Sequence, residues 1–339
     1  QDDAASVWSI CKMNMIMHGD GHGGVHHHDG LININGIFEG RFDVILTNPP
    51  FGASVGKDQY IEQDDIETDT KRIAYYKKLY GTEYEKQLKE LQRIADIVPG
   101  DDKNLKKAKS LLNFYETGKM SALTEVLFIE RCLRLLKPGG RMGIVLPEGV
   151  LNNSNLQKVR EYFEGKAKLI LICSIPQDVF IKAGATVKPS LVFMKKFTDK
   201  ETEQYNEIVA KARKAVDDKY ATEVAAINHA YETKEIRLKS VYLSKLKEIE
   251  KKKITETKPL IKEWFDYQIP IAKVERAGIT TTGGECENEL NDVLLEYRAY
   301  NAENPLWEVN AINWVYSLDE NQTLSRVNSL EQVKVGDLL

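Results

Sequence analysis

Apolar positions along this chain change their period from block to block, and the changes mark its elements. Residues 7–18 carry Val7, Trp8, Ile10, Cys11, Met13, Met15 and Ile16, which predicts a short apolar helix. A loop rich in glycine and histidine follows over residues 19–30. Leu31-Ile32 predicts a short strand, and Phe42–Thr47 is an apolar run too short for a helix, which predicts a buried strand. Residues 57–120 are polar with a largely helical pattern. Val126, Leu127, Ile129, Leu133 and Leu136 predict an amphipathic helix over residues 123–136, stopped by the tight turn Lys137-Pro138-Gly139-Gly140. Buried strands are predicted again at residues 141–146, 169–175 and 191–195. This strand–helix–strand alternation predicts an α/β fold, a mostly parallel sheet with helices on its faces. No glycine-rich strand-to-helix turn precedes the first clear strand, so the sheet is expected to lack its N-terminal strands. Phe42–Thr47 is then expected to have one long edge unpaired.

Residues 200–258 contain neither proline nor glycine. Ile208, Val216, Tyr220, Val224, Ile227, Tyr231, Leu238, Tyr242, Leu246 and Ile249 recur at helical spacing, which predicts a long helix or a helical hairpin of coiled-coil character. A single helix would reach about 90 Å, so a fold-back is a natural solution. Residues 259–312 return to mixed character with Trp264, Phe265, Tyr267 and Trp307, and 313–339, with Trp314, read as a tail or the start of a further domain. The expected organisation is a domain over 1–198 with an insertion at 57–120, the long helical segment at 199–258, a helical C-terminal region at 259–312, and the tail.

The chemistry concentrates where the Phe42–Thr47 run ends in Asn48-Pro49-Pro50-Phe51. In an open α/β sheet, ligands bind at the carboxyl ends of strands. This tetrapeptide puts a side-chain amide, a backbone carbonyl and a flat ring at one such end. Methyl transfer to the amino nitrogen of a base needs those groups. The amine is a poor nucleophile because its lone pair is delocalised into the ring; two acceptors on its hydrogens draw the lone pair out of conjugation, and an aromatic ring holds the base by stacking. The plainer reading is a strand followed by a proline-stiffened turn.

Composition narrows the classes. The chain has 339 residues, 29% charged and 42% hydrophobic, with a net charge of −4. It suits a globular protein with one large or two ordinary domains, and any nucleic-acid contact must rest on local patches. No stretch approaches the ~18–20 apolar residues of a membrane span. No signal peptide is visible after Gln1-Asp2-Asp3, which predicts a cytoplasmic location. Cys11, Cys132, Cys173 and Cys286 show no paired spacing and are expected to be reduced core residues. His18, His22, His26, His27 and His28 cluster, yet no cysteine accompanies them, so no metal site is expected. Residues 71–109 have an excess of lysine and arginine with Tyr75, Tyr76, Tyr80 and Tyr84 interleaved. That segment reads either as a solvated helix pair or as a surface for phosphates and extruded DNA.

Several ordered blocks carry a family resemblance. Lys12-Met13-Asn14-Met15-Ile16-Met17-His18-Gly19, Asp29-Gly30-Leu31 and the run from Phe42 through Asn48-Pro49-Pro50-Phe51-Gly52 resemble modification subunits of type I restriction–modification systems, gamma-class adenine-N6 DNA methyltransferases. The likeness continues through Leu127-Phe128-Ile129-Glu130, Leu135-Leu136-Lys137-Pro138-Gly139-Gly140-Arg141, residues 144–151 and Ile175-Pro176-Gln177-Asp178-Val179-Phe180. It reappears at residues 272–278 and 288–290, so it covers 1–198 well and 265–300 in patches. It implies a class I, Rossmann-like methyltransferase sheet, S-adenosylmethionine as methyl donor and a flipped adenine of double-stranded DNA as acceptor. By the same resemblance the Asn48 amide oxygen and the Pro49 carbonyl accept the amine hydrogens, Pro50 stiffens the turn and Phe51 stacks. Asp29, with Leu31 and Asn48, lies on the donor side, and Asp2, or failing it Asp3, is expected at the donor's ribose. Implied partners are a specificity subunit or fused specificity domain and a restriction subunit. The family's Phe-x-Gly-x-Gly donor motif does not occur in this sequence, so weak donor binding, and an inactive isolated chain, are expected.

The expected activity is therefore site-specific adenine methylation of DNA. Methylation of RNA bases or of a protein glutamine is the alternative within enzymes, since similar loops occur there. A non-catalytic assembly fragment, built on the long helices, is the alternative outside them.

Overall fold

The computed structural model describes residues 2–19, 24–26, 28–181, 187–305, 315–318 and 324–327, with the side chains of 2–6, 315–318 and 324–327 left aside. The chain divides into two units, Gln1–Val293 and Leu294–Leu339.

Chain order in the first unit begins with α1 (Asp2–Met17) and β1 (Phe42–Thr47). The insertion follows with α2 (Thr70–Tyr80), α3 (Thr82–Ala95), α4 (Lys103–Lys109) and α5 (Leu111–Phe114). Next come α6 (Thr124–Leu135), β2 (Leu136–Pro147), α7 (Glu148–Asn152), α8 (Gln157–Glu164), β3 (Ala167–Ser174), α9 (Asp178–Ile181) and β4 (Pro189–Lys196). The long helices are α10 (Asp199–Glu232) and α11 (Lys239–Trp264), followed by β5 (Ile271–Lys273), β6 (Ala277–Ile279), β7 (Glu285–Asn288) and α12 (Leu290–Glu303). In the second unit β8 (Val315–Leu318) pairs antiparallel with β9 (Leu324–Val327); Trp307 and Trp314 lie outside the described residues.

The main sheet has the order β1-β2-β4-β3-β5. β1 and β2 are parallel, β3 and β5 are parallel, and β4 runs antiparallel to both its neighbours. Four strands thus share one direction and β4 alone opposes them. Alternation is clean on β2, where Met142, Ile144 and Leu146 are buried and meet Val192 and Met194 of β4 in the core. β1 is the edge strand, and Val44 and Leu46 are 51% and 77% exposed. The expectation of a buried strand there is corrected: the run is apolar, but among the described residues it has a neighbour on one side only.

Other differences have local causes. Leu31-Ile32 forms no strand. The Asp29 carboxylate accepts the Leu31 amide at 2.8 Å and the Asp29 carbonyl accepts the amides of Ile32 and Asn33, so the chain turns. Lys137–Gly140 is not a free turn between helix and strand. Leu136 already pairs with Phe42 and Arg141 pairs with Val44, so these four residues bulge out of β2. Gly139 supplies the φ of +79° that the bulge needs. Tyr84 is fully buried, Tyr76 and Tyr80 stack with centroids 5.8 Å apart, and Tyr80 stacks on Phe38. These rings form the core of the insertion; only Tyr75, 60% exposed, is open to a partner. Cys132 and Cys173 are buried as expected, but Cys11 is exposed and Cys286 half-exposed.

α10 and α11 form an antiparallel hairpin turned at residues 233–238, where Lys234 takes φ 62°. Lys219 and Tyr220 meet Glu256, Lys253 meets Asp217, and Tyr231 stacks on Tyr242 with centroids 4.3 Å apart. α11 runs past Pro259 to Trp264. Pro259 removes a helical donor, but Lys258–Glu161 and Lys262–Glu164 contacts flank it and tie that turn to α8.

The hairpin is rooted by Glu201. Thr198 and Glu201 make a reciprocal cap, and the carboxylate also meets Lys168 of β3 at 2.9 Å and Lys195 of β4 at 3.0 Å. Burial would raise its pKa, but the Thr198 amide and the two ammonium groups outweigh that and hold it at about 2. The folded value is depressed, so this contribution is complete above about pH 4.5 and is lost as pH falls towards 2. Glu201→Gln is expected to lower stability at neutral pH and to flatten the loss over that window. Urea midpoints across it are the check, and parallel curves for the two proteins would refute the assignment.

Candidate active site

The site is built on α6, which lies between two cores. Val126, Ile129 and Leu133 pack on the sheet, while Leu127 packs into the insertion with Ile32, Phe38, Leu111 and Tyr115. Helix positions three apart sit about 4.5 Å apart along the axis. Glu125, Phe128 and Arg131 are spaced in this way, and each holds a loop. The Glu125 carboxylate accepts the Gly52 amide at 3.4 Å. Phe128 lies against Gly30, where a Cβ would stand 3.7 Å from the ring. The Arg131 guanidinium donates to the carbonyls of Gly30, Asn33 and Ile37. One helix therefore carries both the Asp29 turn and the turn after Asn48.

The Asn48 turn is pinned from both sides of Gly52, which takes φ +68°. Ser54 and Leu123 form an antiparallel bridge, with Val55 N–H donating to the Ala122 carbonyl at 2.8 Å and Thr124 N–H to the Ala53 carbonyl at 2.9 Å. Asn48 is exposed, Pro49 buried, Pro50 exposed and Phe51 half-buried. Among the described residues, neither the Asn48 amide nor the Pro49 carbonyl has a hydrogen-bond partner. The Phe51 ring stands at 79° to Phe180 of α9, with centroids 6.0 Å apart. Packing rather than a hydrogen bond fixes its orientation.

The expected donor-side residues are less uniform. Asp29 is half-exposed; one carboxylate oxygen holds the Leu31 amide, and the other has no partner among the described residues. Leu31 is 5% exposed, its amide goes to Asp29 and its carbonyl accepts from the Tyr115 hydroxyl, so it is fully engaged within the fold. Asp2 opens α1, but its side chain, like that of Asp3, lies outside the described residues. His22 and His27 also lie outside them. His26 stands directly over the backbone of Gly36, and burial, then the charge of Lys12, lowers its pKa.

Two side chains that sequence reasoning left without a role meet the motif, Phe180 and Glu125. Their only signal was position. Phe180 closes a block carried by the resemblance, and Glu125 lies on the helix preceding the second strand. The Oε2 atom of Glu125 is buried with no partner among the described residues.

The sequence matches the family described as N-6 DNA Methylase over residues 1–80 and 101–260, more than half of the chain. The chain belongs to that family. The sequence matches no curated protein. Among solved structures it is similar to a putative class I S-adenosylmethionine-dependent methyltransferase from Listeria monocytogenes, with 23% identity over 26% of this chain and 27% of that one, and a TM-score of 0.24. It is similar to a modification subunit of a putative type I restriction enzyme from Vibrio vulnificus, with 20% identity over 57% of this chain and 36% of that one, and a TM-score of 0.33. It is also similar to the type I restriction enzyme EcoKI M protein, with 20% identity over 56% of this chain and 29% of that one, and a TM-score of 0.32. The chain spans 27 to 36% of the length of these solved chains. No described helix is long and apolar enough to cross a membrane.

Proposed function

We propose that this chain transfers a methyl group from S-adenosylmethionine to N6 of adenine in double-stranded DNA, as part of the modification subunit of a type I restriction–modification system. The observation that carries the reading is the pair of unused acceptors, Asn48 and Pro49, at the carboxyl end of β1 beside the Phe51 ring. The N-6 DNA Methylase family match supports it.

In this reading the Asn48 amide oxygen and the Pro49 carbonyl each take one hydrogen of the adenine amine. Two fixed acceptors favour a pyramidal nitrogen, whose lone pair is then free to attack. Pro50 contributes no N–H and a fixed φ, so the two acceptors keep their spacing. Phe51, braced by Phe180, holds the extruded base by its face. Bound S-adenosylmethionine supplies the methyl group as an electrophilic sulfonium. The residues present fit the donor at its adenine edge: the unpartnered oxygen of Asp29 can accept from the donor's amine, and Leu31 positions that carboxylate through its amide. The specificity subunit and the restriction subunit belong to the same proposal.

The test follows labelled methyl from S-adenosylmethionine into duplex DNA, RNA and protein, with the chain assembled with its specificity partner. Label is expected in DNA as N6-methyladenine. Label only in RNA or in a protein glutamine would replace the reading by its alternative, and none in any acceptor would support an assembly fragment. A separate expectation concerns Phe51. Stacking on a base contributes about 1–3 kcal/mol, so Phe51→Ala should weaken binding to duplexes with an unpaired target adenine by that amount, while Phe51→Trp is tolerated. Equal affinity of the two variants would reduce Phe51 to packing.

A further inference from the structure

The insertion holds a cleft of about 510 Å³ that the methyl-transfer site does not use. Lys57, Lys103, Lys106, Lys107 and Lys119 line it, against one carboxylate, Asp58. Among the described residues no ion pair engages Lys57, Lys103, Lys107 or Lys119; Lys106 alone has a partner, the exposed Asp101 at 3.6 Å. The cleft wall also includes Ser110, 5% exposed, whose hydroxyl is buried with no partner among the described residues.

The fold places these lysines deliberately close. Two isolated antiparallel bridges bound the segment that carries Lys57, Ser54 with Leu123 and Tyr60 with Ser110, and Tyr60 and Ser110 themselves line the cleft. Lys57 lies on the segment between Ser54 and Tyr60, and Lys119 lies four residues before Leu123. Gly118 beside it is forced, because a Cβ there would meet the Leu112 carbonyl at 2.1 Å. The backbone is therefore held against Leu112, and Lys119 is fixed at the rim. Lys103, Lys106 and Lys107 come from α4. Like charges gathered around a concave wall repel one another and focus a positive potential into it. Such an arrangement suits an anion. Separate flexible ammonium groups, rather than a nest of amides, suit a chain of phosphates better than one small ion.

We infer that this lysine cleft binds the phosphodiester backbone of the DNA whose adenine enters the Asn48 site. The inference rests on the proposed function. The Ser54–Leu123 bridge, three residues before Lys57 and four after Lys119, is also the one that pins the Asn48 turn. Lys57 is nine residues from Asn48, which bounds their separation at about 30 Å. A duplex seated on the cleft therefore keeps its phosphates within reach of the turn that receives the base.

The test is the salt dependence of binding to a random-sequence duplex, followed by fluorescence anisotropy. The triple variant Lys57→Gln, Lys107→Gln, Lys119→Gln is compared with the wild type and with Lys245→Gln, Lys247→Gln, Lys251→Gln on α11. If each cleft lysine meets one phosphate, the slope of log affinity against log salt falls by about 2.7. The wild type then loses roughly forty-fold more affinity than the cleft variant between about 50 and 200 mM salt, while the α11 variant tracks the wild type. Matching thermal melts confirm that the variants fold. A cleft variant with the wild-type slope, where the wild type methylates DNA, overturns the cleft assignment alone. An equal fall in the α11 variant overturns it too. Tight binding of inorganic phosphate, lost in the cleft variant with the duplex slope unchanged, would make the cleft a free-anion pocket. A wild type that neither binds duplex nor methylates it overturns the functional reading as well.

Discussion

Asn48→Ala is expected to abolish methyl transfer and leave the fold untouched. The side chain is exposed and makes no hydrogen bond among the described residues, so its loss creates neither a cavity nor an orphaned donor. Substitutions at such positions usually change stability by less than about 0.5 kcal/mol. In the proposed function the amide oxygen instead acts on the adenine amine as the nitrogen becomes pyramidal. Removing one preorganised group of this kind typically costs about 2.7–4 kcal/mol of the barrier, or 10²–10³ in rate. Asn48→Asp keeps an acceptor oxygen and should retain more activity than the alanine variant. The decisive measurement pairs a methylation rate on duplex DNA with a thermal melt. A folded alanine variant that methylates at near the wild-type rate would remove Asn48 from the chemistry.

That turn was legible in the sequence because its candidate groups are contiguous: Asn48, Pro49, Pro50 and Phe51 follow one another at the end of one apolar run. Residues 141–146, 169–175 and 191–195 were legible for a related reason. Interior strands are mostly apolar, and β2, β3 and β4 each have a paired neighbour on both sides. β1 differs: its apolar run predicts a buried strand although Val44 and Leu46 are exposed, and the unpaired edge expected there follows from the missing glycine-rich turn, not from the run itself. Leu31-Ile32 misleads in another way. Its backbone is satisfied by Asp29 and by Tyr115 and Arg131, which are distant in sequence, and no local pattern records that. Phe180 and Glu125 were missed likewise, because each reaches the motif from another element. The tyrosines of the insertion looked like a stacking surface; helical spacing alone cannot distinguish a ring facing out from one facing Phe38. Lys103, Lys106 and Lys107 of the cleft were visible within the basic segment, but Lys57 and Lys119 lie outside it, and two isolated bridges in this region join segments roughly fifty to seventy residues apart.

Arg131→Met is expected to be the most destabilising of the substitutions considered. Arg131 is 2% exposed, and its guanidinium is the shared partner of the Gly30, Asn33 and Ile37 carbonyls. Burial pushes its pKa down from the ordinary arginine value, against the pull of Tyr115 and of Glu39, 4.0 Å away. A methionine fills much of the volume but donates nothing. It would leave three carbonyls of a buried loop without their donor, and breaking a buried charged contact typically costs about 3–5 kcal/mol. Glu39 keeps Arg134 at 2.7 Å, so the damage should concentrate on residues 30–37 rather than spread through α6. Arg131→Lys keeps the charge but reaches fewer carbonyls at once, and should fall between the two. Because Asp29 begins that loop, donor affinity should fall with it even in variants that remain folded. Urea unfolding and amide exchange over residues 30–37 are the measurements. A methionine variant with the wild-type midpoint and unchanged protection there would show that α6 does not hold the donor-side turn through Arg131, and that the turn keeps its shape from the Asp29 and Tyr115 contacts alone.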